Sequence, residues 1–199
     1  FRAHKYFNNF KIIKCADINE SAAKKCAKIN KIRAVTIKEL LDDRNINVIL
    51  NLTIPAAHYK VSKQALLHGK HVYTEKPLAI NFQDGKRLIK LAKKKNLRVG
   101  NAPDTFLGGG SQKSRALLDK KVIGKVVFGN AIFAYPGIQS YHPNPESWFA
   151  KQGGGPVIDM GPYYLTALVN LLGPAKEVLS QSEKGKEKRI IGIGPKKGK

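Results

Sequence analysis

The period of the hydrophobic positions changes repeatedly along the chain. Short apolar runs, "KIIKCAD" (residues 11–17), "INVILNLTIP" (46–55), "HVYTEKP" (71–77) and "LRVGN" (97–101), alternate with stretches whose apolar residues recur at helical spacing: "NESAAKKCAKIN" (19–30), "IKELLDDRN" (37–45), "AAHYKVSKQALLHGK" (56–70) and "FQDGKRLIKLAKKKN" (82–96). Apolar residues at i, i+3, i+4 and i+7 predict helices, and the short runs predict strands. The continuous run "INVILNLT" reads as a parallel strand buried on both faces. Gly69 is placed to end its helix, since glycine adopts the left-handed conformation that stops one. Strands alternating with helices of this length predict βαβ units and an α/β, Rossmann-type doubly wound parallel sheet over residues 1–101.

The rhythm changes beyond Asn101. "GGGSQKSRALLDKKVIG" predicts a helix stopping at Gly124, "KVVFGNAIFAYPG" a longer alternating strand, and "KEVLSQSEKG" and "KRIIGIGP" two more strands joined by a charged turn. Between them, "GGGPVIDMGPYYLTALVNLLGP" predicts a glycine-rich turn entering a long apolar helix near Asp159. Residues 102–199 are therefore expected to form an incomplete α+β domain with a mainly antiparallel sheet.

Composition narrows the possible partners. The 199 residues are 42% hydrophobic, enough for a core, and carry a formal charge of +22. Seven of the 36 basic residues are Arg, and the Lys residues lie on the polar positions of helix after helix instead of gathering on one face. That spread reads as solvated helix faces and argues against nucleic-acid binding, while leaving long-range attraction of an anionic substrate open. No apolar run reaches the roughly 18 residues of a bilayer span, and no signal-peptide pattern opens the chain. Cys15 and Cys26 make no metal pattern, so no metal site is expected, and a reducing, cytoplasmic setting is the simplest reading. A first residue Phe1 and a terminal "GPKKGK" suggest that both ends are cut from something longer.

Several residues stand where chemistry is expected. An acid at the end of the second strand of a nucleotide-binding doubly wound sheet accepts the adenosine ribose hydroxyls, about 20 residues after a glycine fingerprint. Asp17 ends a strand, and that fingerprint would precede Phe1; a turn role for Asp17 is the alternative. In the order 3-2-1-4-5-6 the first strand separates the second from the fourth, so "KIIKCAD" and "INVILNLT" would lose their shared neighbour. The 199-residue chain alone is then expected to bind dinucleotide poorly.

Lys76 in "TEKP" ends a parallel strand and points into the ligand crevice, where an ammonium can exchange a proton with a substrate hydroxyl. Thr53, Pro55 and His58 lie just past another strand end, with capping or packing as alternative roles. "YHPNPESW" (141–148), with His142, is a stiff aromatic loop of the kind that walls a site. A phosphate cradle needs glycines directly after a strand, whereas "GGGPVID" follows a Pro-rich loop and carries an acid where the anion would lie. Asp159, Tyr163, Thr166 and Asn170 form a polar stripe at helical spacing, which requires partners in the protein or in a ligand.

"CAD", "TEKP" and "GGGPVIDMGPYY", in this order and spacing, resemble the Gfo/Idh/MocA family of NAD(P)-dependent oxidoreductases, and "NAPDTFLGGG" is similar to one branch of it. The resemblance implies hydride transfer between a nicotinamide cofactor and a sugar, cyclitol or related polyol, and a homo-oligomer in the full-length form. It implies that Asp17 binds the ribose and favours NAD over NADP, that Thr53, Pro55 and His58 line the cofactor site, and that Glu75, Lys76 and Pro77 form the family's Lys motif. Asp159 matches the first acid of DxGxHxxD, but Tyr163 stands where the catalytic His is usual and Thr166 where a second Asp is common. Three repairs are open: Tyr163 itself as acid/base next to Lys76, His142 swinging in from its loop, or Lys76 with Asp159 while Tyr163 orients substrate. The loss of the His also leaves room for a non-catalytic, dinucleotide-binding regulator of the same family.

Overall fold

The computed structural model describes residues 6, 9–142, 145, 153–183, 185 and 188–199. Strands and helices alternate through the first half: β1 (Lys14–Cys15), α1 (Glu20–Asn30), β2 (Arg33–Ala34), α2 (Ile37–Asp42), β3 (Val48–Asn51), α3 (Pro55–Leu67), β4 (His71–Thr74), α4 (Phe82–Lys94) and β5 (Val99–Asn101). A 3-10 turn (Asp104–Leu107), α5 (Gly109–Asp119), α6 (Pro156–Asp159) and α7 (Gly161–Leu172) follow.

Local chemistry sets the boundaries. Asn19 caps α1 by accepting from the Ser21 and Ala22 N–H groups. Thr36 and Glu39 close a reciprocal capping box on α2, and Asn81 caps α4 through the Asp84 N–H. Pro55 opens α3, where its missing N–H removes no helical bond.

Every ladder is parallel, but the strands form two sheets: β1 pairs with β2, and β3, β4 and β5 pair in that order. No ladder joins β1 to β3 among the described residues. The split lies where the expected strand order places a missing neighbour. The short pair β1–β2 was only half anticipated, because the two residues of β2 are too few to show a period.

One face of the larger sheet packs under α3 and α4. Ile49 and Val72 meet Leu41, Ile46, Ala65, Leu66, Leu88 and Ala92 in the main core. The opposite face departs from the expectation of a strand buried on both sides: Val48 and Leu50 are 54% and 50% exposed. An unbroken apolar run cannot tell which face finds a neighbour within the same chain. The two sheets are tied through polar groups, Lys14 Nζ to the Asp43 carboxylate and Lys70 Nζ to the Asp43 carbonyl at 2.6 Å.

The antiparallel sheet expected beyond Asn101 is not found: the described residues there contain no strand. Alternation alone makes no strand unless another strand satisfies the backbone groups, and residues 125–137 have no such partner among the described residues. The first helix of this region ends at Asp119, short of Gly124. The apolar helix begins at Gly161, because the chain breaks at Met160 and leaves Asp159 at the end of α6. Arg115 Nη1 reaches across to the carbonyls of Asn170 (3.0 Å) and Leu171 (2.6 Å) at the end of α7, fastening α5 to it.

Candidate active site

Register builds the floor of the site. Asn51 is paired with Thr74, and Thr74 with Asn101, so three polar residues stand level at the carboxyl ends of β3, β4 and β5. Asn51 is 2% exposed and uses its whole amide. Its Nδ2 donates to His58 O (3.1 Å) and Ser62 Oγ (3.0 Å), while Oδ1 accepts from the Thr53 N–H (3.2 Å) and hydroxyl (2.7 Å). This network satisfies a buried polar side chain and fixes the loop between β3 and α3.

The turn Glu75-Lys76-Pro77 leaves β4 and is held from both sides. Glu75 N–H donates to Asn51 O at 2.9 Å, and Asn101 Nδ2 donates to Thr74 O and Glu75 O at 3.1 and 3.0 Å. The Lys76–Pro77 peptide is cis. The imidazole of His58, 1% exposed, lies between two backbone carbonyls, with Nδ1 2.6 Å from Pro77 O and Nε2 2.8 Å from Thr53 O. Of the roles open to His58, the structure shows the packing one: the ring clamps the Lys76 turn to the β3 loop.

Lys76 projects from this braced turn onto the second half of the chain. Its Nζ donates to the Asp159 carbonyl at 2.7 Å and to Asp159 Oδ1, and it lies 5.3 Å from the centroid of the Tyr163 ring. The side chains are 14% and 32% exposed, so the ion pair is partly withdrawn from water. Lys76, Asp159 and Tyr163 therefore meet, 83 residues apart in sequence between Lys and Asp. An ammonium over a phenol ring, anchored by a carboxylate, puts a proton-bearing group and a charge at one point beside the strand ends.

The glycine-rich turn makes this meeting possible. Gly153 and Gly155 have φ of 88° and 89°, and a Cβ on Gly153 would come within 3.0 Å of both Pro55 and Ile80. The glycines let the backbone touch the sheet side and aim α6, as a packing turn would, and no phosphate role is needed.

The remaining candidates are spread around this center. Asp17 is exposed just past β1, its Oδ1 accepting from the Asn19 N–H at 2.8 Å. Thr53 is exposed past β3 with its hydroxyl turned to Asn51. Pro55 is half-buried beside Gly153, and Glu75 Oε2 accepts from the Lys76 N–H at 3.0 Å. His142 is set by its N–H bond to Ile138 O (2.9 Å), whereas the rest of the aromatic loop, Pro143, Asn144 and Glu146 to Trp148, lies outside the described residues. Tyr141 packs edge-on to Tyr135 at 6.3 Å; a hydrogen bond with Tyr135, burial and the Tyr135 and Asp159 charges push its phenol up. Thr166 and Asn170 share α7 with Tyr163 but belong to a different helix from Asp159.

Sequence reasoning missed Asn51, Ser62 and Asn101, whose importance comes from register across three strands. The only available signal was a polar residue ending each apolar run. No group of three or more His, Cys, Asp or Glu side chains that could hold a metal occurs among the described residues, and no helix there is long and apolar enough to cross a membrane.

Comparison with known proteins adds an independent line. Residues 2–102 match the family model for oxidoreductases with an NAD-binding Rossmann fold, GFO_IDH_MocA, and residues 111–191 match the GFO/IDH/MocA C-terminal domain. The chain is 34% identical over 143 residues to trans-1,2-dihydrobenzene-1,2-diol dehydrogenase of Xenopus laevis, covering 71% of this chain and 42% of that protein. It is 24% identical over 166 residues to D-xylose dehydrogenase of Paenarthrobacter nicotinovorans, covering 80% and 43%. The solved NAD binding oxidoreductase from Klebsiella pneumoniae shares the fold at 22% identity, with a TM-score of 0.69 over 86% of this chain and 48% of that one. The chain spans less than half the length of each of these three relatives. Two successive family models and a shared fold, over a site that joins the strand-end Lys76 to Asp159, make this chain a member of the Gfo/Idh/MocA oxidoreductase family.

Proposed function

We propose that the whole protein interconverts a secondary alcohol and its carbonyl on a sugar, cyclitol or related polyol, with NAD as the favoured cofactor. The observation that carries this reading is the convergence of Lys76, Asp159 and Tyr163 at the end of β4. The strand ends suit a nicotinamide dinucleotide: Asp17 is exposed where ribose hydroxyls need an acceptor, and Thr53, Pro55 and the Glu75 to Pro77 turn border the same kind of strand-end crevice. Nicotinamide supplies the hydride donor or acceptor at C4.

The residues of this chain handle the proton. In the reducing direction the Tyr163 hydroxyl donates to the substrate carbonyl oxygen as hydride reaches the carbon. The alcohol is released, and the phenolate left beside the Lys76 ammonium is reprotonated from water. Asp159 holds that ammonium in place through two contacts. Residues 1–101 serve as the dinucleotide-binding domain and 102–199 as the start of the substrate and assembly domain.

Substitutions in the whole protein test the assignment. Tyr163→Phe should cut turnover by about 100-fold or more, with little change in cofactor affinity, because it removes only the transferable proton. His142→Ala should leave turnover within a few-fold of the unsubstituted protein. The reverse outcome transfers the acid/base role to His142. Cofactor binding without turnover on any sugar or polyol would favour the regulator reading instead.

A further inference from the structure

Cys15 and Cys26 are eleven residues apart in sequence, yet the fold sets them against each other. Cys15 is the last residue of β1, and its Sγ donates to the carbonyl of Ala23 at 3.5 Å. Ala23 lies three residues before Cys26 on α1, hence on the same face of the helix. Burial, then the neighbouring Cys26 and the Asp17 charge, push the Cys15 thiol up. Both side chains are half-buried.

Their surroundings differ in a way that assigns roles. Cys15 is a donor, spending its proton on a carbonyl oxygen. Cys26 Sγ is an acceptor, receiving at 3.6 Å the Asn30 Nδ2 that also donates to the Cys26 carbonyl at 2.9 Å. Packing alone would account for two small apolar residues, but not for opposed donor and acceptor arrangements on the two sulfurs.

We propose that Cys15 and Cys26 are an oxidisable thiol pair, a modification site for low-molecular-weight disulfides, with Cys26 the attacking and Cys15 the resolving sulfur. The Cys26 thiolate attacks one sulfur of the disulfide and releases one thiolate, giving a mixed disulfide on Cys26. Cys15, losing its proton to water, then attacks the Cys26 sulfur and expels the second. The pair loses two electrons and two protons overall, and the small disulfide is reduced to two thiols. A disulfide bond closes the sulfurs to about 2.05 Å. It thereby draws the end of β1 toward α1 and displaces the turn that carries Asp17, two residues on. The thiol chemistry stands apart from the proposed reaction; only its effect on cofactor affinity rests on that reading.

The test treats the whole protein with excess oxidised glutathione. Expected are the loss of two titratable thiols attributable to residues 15 and 26, a peptide pair joined through them, and recovery of both thiols with reduced glutathione. Cys15→Ser should stop at a single glutathione adduct on Cys26, and Cys26→Ser should resist the reagent. Oxidation should weaken NAD binding roughly tenfold in the unsubstituted protein, and the same treatment should leave the affinity of Cys26→Ser unchanged, each measured by calorimetry before and after treatment. The proposal is overturned if both thiols persist, if the adduct forms on Cys15, or if the joined form binds NAD as tightly as the reduced one. Absence of NAD binding by the reduced protein would count against the cofactor reading, while the thiol titration still decides whether the pair closes.

Discussion

At the scale of single residues the site depends on positions that only their backbone or register explains. Gly153 is one of them. An L side chain at φ 88° is strained, and its Cβ would press on Pro55 and Ile80 at 3.0 Å. Gly153→Ala should cost about 1–2 kcal/mol by chemical denaturation, and it should lower turnover further by moving α6, and Asp159 with it, away from Lys76. Lys76 and Asp159 could be read in advance because a strand end and a glycine-rich turn mark such positions locally. Asn51 and Asn101 could not: each looks like any loop asparagine until β3 and β5 are set level on either side of β4. For His58 the sequence left cofactor lining and packing both open, for a related reason. Its distance from Pro55 along the helix is visible in the sequence, but the two carbonyls that enclose its ring come from Thr53 and from a different strand's exit turn.

At the scale of elements, the Lys76 turn is a splice between three strands. His58 holds Pro77 O on one side and Asn101 holds Thr74 O and Glu75 O on the other. His58→Leu keeps the volume but removes the ring donor from between two part-buried carbonyls, so it should destabilise the fold by about 1–3 kcal/mol in urea denaturation. In the same variant, activity measured well below the unfolding midpoint should fall as well, since the turn that aims Lys76 loses one brace. The helices were the most legible elements, because apolar spacing and caps such as Thr36 with Glu39 are written within a dozen residues. The strands were less so. β1 and β2 are two residues each, and the alternating run from Lys125 to Gly137 carries a strand pattern with no partner to pair it among the described residues.

At the scale of the molecule, the two sheets are joined by side chains more than by backbone. The Lys14 contact, followed by the Asn45 N–H, holds the Asp43 carboxyl below the usual carboxylate range. A carboxyl with a lowered folded pKa stabilises the fold above its unfolded value of about 4, and this stabilisation is lost as pH falls through the folded value. Asp43→Asn should therefore be less stable than the unsubstituted protein at pH 7, and the two stability curves should converge below about pH 4, as followed by urea denaturation across pH. The doubly wound plan was legible in the alternation of periods. The separation of β1 from β3 follows the expected strand order, whereas the exposure of Val48 and Leu50 depends on which strands meet and could not be read from any single segment.

The Lys76–Asp159 pair joins a turn tied to three strands to a helix aimed by the glycine-rich turn. Its two halves come from separate stretches of the chain, so a loosening of α6 would open the pair while the parallel sheet stays intact, and the site would be lost before the fold.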